Sequence, residues 1–149
     1  MDAPPPGYAL DTKHDGPWTG LLGPLYHDLI RKQTALRIRR EHCNHFGLVH
    51  GGALVSLVDY SLFVIAADYS GHFTGTFYKT LSVNVDFLGI AKEGALLEAG
   101  GTVLKASRDK SHVFVEGWVK EGERRVAAFR AIIVSAGKKK KPPKLKASL

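Results

Sequence analysis

Apolar residues in this chain alternate, then crowd together, then alternate again. Over residues 35–40, Ala35, Arg37 and Arg39 oppose Leu36, Ile38 and Arg40. A period of two predicts a half-exposed strand. A second extended run covers residues 25–30, and a short turn or helix is expected near residues 20–26. From residue 51 to about residue 70 the period changes. Leu54, Val55, Leu57, Val58, Leu62, Phe63, Val64, Ile65, Ala66 and Ala67 cover nearly every direction around a helix axis. A helix apolar all round is a buried helix, and Ser70-Gly71 supplies its stop. After Gly75 the alternation returns, with Leu81, Val83, Val85 and Phe87 against Ser82, Asn84 and Asp86. Residues 96–105, 113–119 and 125–135 are further extended runs. Polar hairpin-type turns separate them at residues 92–94, 107–110 and 121–123. No helix-length segment intervenes, so the strands should pair antiparallel. The pattern predicts an α+β fold, a curved antiparallel sheet wrapped around one long central helix.

Composition adds limits. With 149 residues, 44% hydrophobic and 23% charged, the chain can bury one full core without disulfides or metal. A single cysteine, Cys43, suits a reducing compartment. No basic and apolar leader opens the chain, so a cytoplasmic protein is expected. Asp59 and Asp68 interrupt the longest apolar segment, which is too polar to span a membrane. The net charge of +7 belongs to the C-terminus. Residues 138–149 hold six lysines, and without them 15 basic residues face 14 acidic ones. A nearly neutral body argues against nucleic acid as a partner, and the lysine run reads as a solvated tail. The expected division is a flexible arm over residues 1–20, a folded domain over residues 21–136 and a basic, disordered tail over residues 137–149.

The chemistry concentrates around Asp59, a carboxylate inside an apolar helix. A buried ionised carboxylate is costly, so it is usually paired, neutralised or working. Ahead of it runs Asn44-His45-Phe46-Gly47-Leu48-Val49-His50-Gly51-Gly52. The pattern His42-Cys43-Asn44, Gly47, Val49-His50-Gly51-Gly52 and Asp59 resembles the hotdog-fold thioesterases of the phenylacetate-degradation (PaaI-like) and thioesterase-superfamily-member-2-like group. Asn84 and Phe87 ahead of Ala91-Lys92-Glu93-Gly94 extend the resemblance, which spans roughly residues 25–136.

That resemblance implies hydrolysis of acyl-CoA thioesters. Such a reaction needs a donor for the developing oxyanion and a group that attacks or activates water. The Gly51 N–H, at a helix N-terminus, is the expected carbonyl-polarising donor, and Gly52 leaves room for the substrate. Asp59 is the expected nucleophile or general base. Eight residues of helix put Gly51 and Asp59 about 12 Å apart, too far to meet one carbonyl group. Two helices related by a two-fold axis bring them together, so a homodimer is expected; the resemblance implies that such dimers can pair further into a dimer of dimers.

Other residues carry two readings each. Asn44 either binds water or thioester through its amide or braces its loop. His50 orients the loop or, more simply, braces the helix start. Thr80 falls where the family carries Ser or Thr; its hydroxyl holds the attacking water or is an ordinary strand hydroxyl. Lys105, Arg108, Lys110 and Ser111 flank a turn that the resemblance sets near the CoA nucleotide, or form a solvated hairpin tip. By resemblance, Ser82 and Phe87 line the pantetheine channel. Tyr60, Leu62, Phe63 and Tyr78 are either pocket or core. Cys43 is not expected to act as nucleophile. The seven histidines show no HExxH or Cys/His ligand pattern, and the one pair with plausible ligand spacing, His42 and His45, has no fitting acidic or Cys partner nearby, so neither a metal nor a cofactor beyond the CoA of the substrate is expected. Two alternatives stand beside the hydrolase. A hotdog hydratase or dehydratase typically carries a histidine a few residues after the helix acid, where this chain has Val64. A non-catalytic acyl-CoA binder would keep the glycines without needing Asp59.

Overall fold

The computed structural model describes residues 3–12, 16–67 and 76–138. Among them, seven strands form one antiparallel sheet: β1 Ala9–Leu10, β2 Leu25–Asp28, β3 Gln33–Arg37, β4 Thr76–Phe87, β5 Leu96–Ala106, β6 His112–Glu121 and β7 Arg124–Lys138. Their order across the sheet is β1-β2-β3-β5-β6-β7-β4. Helix α1 spans Pro17–Leu22, and the long helix α2 spans Gly51–Ile65. α2 packs on β3, β4, β5, β6 and β7, so the expected sheet around a central helix is present.

The core follows from the alternation. Leu54, Leu57, Val58, Leu62 and Ile65 of α2 meet Leu36, Leu97, Val113, Val119 and Ile133 of the sheet. Each such buried side chain contributes about 1.5–3 kcal/mol. At the centre, Gly101 lies opposite Gly117. A Cβ on Gly117 would stand 2.3 Å from Phe129 Cζ, so only glycine lets that ring lie over the strand. In β4 a register shift between Thr80 and Ser82 changes which residues face the helix. Thr80 pairs with buried Ile133 and Val83 with buried Ala131, while Ser82 pairs with Ile132. The irregularity therefore turns both Thr80 and Val83 toward α2.

Several expectations change. The N-terminal arm is partly docked. Ala9 and Leu10 pair with His27 and Tyr26, and Tyr8 is buried with Tyr26 and Ala35. Tyr8 Oη donates to Glu98 Oε1 at 2.6 Å. This cover explains why β3 is buried on both faces rather than half-exposed. Residues 92–94 do turn, but β4 and β5 are no hairpin: β4 crosses to the far edge and pairs with β7. α2 is not buried all round. Gly52 is exposed, and Ser56, Asp59 and Phe63 are only half-buried, which leaves one stripe of the helix open. The expected helix stop at Ser70-Gly71 lies outside the described residues, as does the tail from residue 139; residues 137 and 138 belong to β7.

Candidate active site

α2 begins at a built N-terminus. His50 is its N-cap, with extended φ −70° and ψ 135°, and its Nδ1 accepts the Gly52 N–H at 2.9 Å. His50 is therefore the brace, and the Gly52 N–H is occupied by it. The Gly51 N–H, at the first helical position, donates to no acceptor among the described residues. Phe87 stands beside it: a Cβ on Gly51 would lie 3.2 Å from Phe87 Cζ. The loop leading in is held by Asn44. Its Oδ1 accepts the N–H groups of Phe46 at 2.9 Å and Leu48 at 3.2 Å. The bracing reading of Asn44 thus holds for its carbonyl oxygen, and only its amide nitrogen is left to address a ligand.

Two turns along α2, Asp59 Oδ1 accepts a hydrogen bond from Thr80 Oγ1 at 2.6 Å. Asp59 lies on the wall of a cavity of about 400 Å³, lined also by Trp18, Val55, Tyr60, Phe63 and Val83. Of the four residues with an open choice between pocket and core, Tyr60 and Phe63 line this cavity. Leu62 and Tyr78 are buried, and Tyr78 Oη donates to the Lys110 carbonyl at 2.8 Å. A neighbouring cavity of about 680 Å³ runs past His50, Gly52 and Ala53.

The thioesterase-superfamily model matches residues 46–126. The chain belongs to that superfamily. A Pseudomonas aeruginosa protein with a provisional esterase name is 36% identical over 122 residues, covering 78% of this chain and 86% of the relative. In structure the chain resembles a hypothetical thioesterase of Streptococcus pneumoniae, solved with coenzyme A (TM-score 0.62, 16% identity, 89% and 91% of the two chains). It also resembles the Escherichia coli PaaI protein of the phenylacetic acid degradation operon (TM-score 0.61, 20% identity, 71% and 72%). The fold is the hotdog fold. Membership in the thioesterase superfamily supports thioester hydrolysis as the general activity.

Within this thioesterase-superfamily chain, not every expected site residue gathers at α2. Thr80 meets Asp59 and Phe87 meets Gly51, but Ser82 faces the opposite side of β4 and joins neither. Lys105, Arg108 and Lys110 are exposed at the β5–β6 end. This tip lies at the Thr80 end of the sheet, since Thr80 pairs with Ile133 and Ile133 with Val113. Ser111 is engaged in the turn itself, its Oγ donating to Asp109 Oδ1 at 2.8 Å. The Ser107 hydroxyl, with the Ser111 N–H and hydroxyl, holds the Asp109 carboxyl down to about 2. Burial pushes the Cys43 thiol up, which disfavours the thiolate that a nucleophile needs. No group of three or more metal-ligating side chains occurs among the described residues. Nor, among those residues, is any helix long and apolar enough to cross a membrane.

Trp18 is the cavity-lining residue that sequence reasoning missed, because residues 1–20 read as a flexible arm. A signal was present. Gly16-Pro17 ahead of Trp18, with Leu21 and Leu22 one turn on, is a helix start with proline at its first position.

Proposed function

We propose that the protein is an acyl-CoA thioesterase acting as a homodimer. The observation that carries this reading is a pair of groups on α2: an uncommitted Gly51 N–H at its N-terminus and, eight residues on, a Thr80-oriented Asp59 in an apolar cavity. The Gly51 N–H and the positive end of the helix polarise the thioester carbonyl. Asp59 of the partner subunit either takes the proton of an attacking water or attacks the carbonyl itself. In the first case water adds to the carbonyl carbon and the C–S bond breaks. CoA then leaves as a thiolate that the Asp59 proton neutralises. In the second, an acyl-aspartyl anhydride forms as CoA leaves, and water then hydrolyses it to the acid. Both routes release one acid and one CoA thiol per thioester. The exposed basic residues Lys105, Arg108 and Lys110 are the candidates to meet the CoA phosphates. Free CoA is a product here, so no separate cofactor is needed. A cytoplasmic location fits the single unpaired cysteine.

The edge of the sheet supports the dimer. β4 has 12 residues and, among the described residues, pairs with β7 alone. Leu81, Phe87, Leu88 and Ile90 are exposed on and beside it. A long apolar edge of this kind is a template for a second chain. The decisive assay is thiol release from a panel of acyl-CoAs by wild type, Asp59→Asn and Asp59→Ala. Wild type should release CoA, and both variants should lose at least about 100-fold in kcat. A wild type inert toward every member of the panel, or an Asp59→Ala variant with full activity, sinks the reading.

A further inference from the structure

Trp18 is a large apolar side chain that the core does not use. It is 63% exposed on a helix of six residues. The far end of that helix is fastened. Leu22 is buried, and its carbonyl accepts the His42 Nε2–H at 2.5 Å and the Arg39 guanidinium at 3.3 Å. α1 is thus pinned at its C-terminal end while Trp18 stands at the other. Both cavities beside α2 have Trp18 in their walls. One is the cavity of about 400 Å³ that holds Asp59, and the other, of about 680 Å³, runs along the helix start. Leu22 is also common to both linings, but it belongs to the core. Trp18 is therefore the exposed side chain that the two linings share. It also lies outside residues 46–126, the stretch matched by the superfamily model, so this wall comes from the chain's own N-terminal arm.

Building on the thioesterase reading, we infer that Trp18 is the specificity-determining wall of the acyl site. The acyl group of the substrate occupies the Asp59 cavity, against Val55, Phe63 and Val83. A lining of that kind takes apolar acyl groups. The Trp18 indole closes the cavity toward its neighbour, so short and medium chains fit and long chains collide with the ring. Removing the indole joins the two spaces and lets a long chain run on past Ala53.

The test is the chain-length profile of CoA release for wild type, Trp18→Phe and Trp18→Ala. In Trp18→Ala the ratio of kcat/KM for dodecanoyl-CoA to that for butanoyl-CoA should rise at least about tenfold, and Trp18→Phe should rise less. A ratio unchanged by either substitution overturns the inference, as does a uniform loss at every length. A second readout does not depend on turnover. The chain has two tryptophans, and Trp118 lies over Gly100 on a different part of the sheet. In a Trp118→Phe background the emission comes from Trp18 alone. Hexyl-CoA, a thioether that cannot be hydrolysed, should shift that emission to the blue; an unshifted spectrum at saturating ligand overturns the inference. Failure of the hydrolase reading looks different: wild type releases no thiol from any acyl-CoA, while the emission shift still reports whether an acyl chain sits against Trp18.

Discussion

Thr80 donates its hydroxyl to one oxygen of Asp59, and the other oxygen accepts no hydrogen bond from the described residues. A single short bond to a carboxylate fixes its rotation and leaves one oxygen for the ligand. Bonds to charged groups contribute about 1.5–3 kcal/mol. If orientation of Asp59 is what Thr80 supplies, Thr80→Val, which keeps the shape and deletes the hydroxyl, should lower kcat about 10- to 100-fold. KM should hardly move, since a bond that matters chiefly for attack leaves ground-state binding alone. Thr80→Ser should retain most of the rate. Steady-state kinetics of the three proteins decide the point, and a Thr80→Val enzyme within twofold of wild type would leave Thr80 as an ordinary strand threonine. This bond depends on the irregularity beside Leu81. Alternation alone puts Leu81, Val83 and Val85 on one face, and it cannot show that Thr80 joins Val83 on the side of α2.

α1 owes its place to His42. The imidazole accepts the Arg39 N–H at Nδ1 and donates from Nε2 to the Leu22 carbonyl, an arrangement available only to the neutral ring. Burial lowers its pKa from the ordinary 6.5. The unfolded chain therefore binds this proton more readily than the folded one. The His42 contribution is intact above about pH 6.5 and declines as the pH falls from there through the lowered folded value. Thermal midpoints measured from about pH 7.5 to pH 5 should fall for wild type. His42→Gln should start lower, by about 1–3 kcal/mol of stability, and show a flatter dependence. Coincident slopes would assign the titration to another group. At this scale the chain was partly legible. α2 and the strand runs could be read because their partners impose strong local periods. The apolar run from Leu54 to Ile65 put Gly51 and Asp59 on one helix, as α2 has them. The N-terminal arm could not be read in this way. Tyr8 is ordered by Gln33 and Glu98, far along the sequence, and Trp18 stands over residues of α2. No local pattern records such contacts. Nor does it record that β4 crosses to the edge beside β7 instead of folding back on β5.

For the whole molecule, the separation of Gly51 and Asp59 along one continuous helix sets the strongest constraint. α2 runs unbroken from Gly51 to Ile65, so the two groups are about 12 Å apart along its axis. A thioester carbonyl cannot touch both. A substitution suited to the fold isolates each half of the site. Gly51→Pro deletes the N–H and puts a ring carbon in its place, at a first helical position where proline is favoured. His50 before it already has the extended backbone that proline requires, and Phe87 must yield by a few tenths of an ångström. Asp59→Asn removes the charge and keeps the shape. Each variant alone should be nearly inactive, Gly51→Pro by about 10²–10³-fold in kcat. Coexpressed in equal amounts, half of the dimers should be mixed, and each mixed dimer should hold one site with both lesions and one with neither. Activity should then return to about a quarter of wild type. If Gly51 and Asp59 of the same chain served one substrate, every site would carry a lesion and coexpression would restore nothing. Light scattering on the same samples gives the matching check on assembly. The chain mass is 16.3 kDa, so a species of twice that mass or a higher even multiple is expected, and an active monomer would rule out a site shared between two chains.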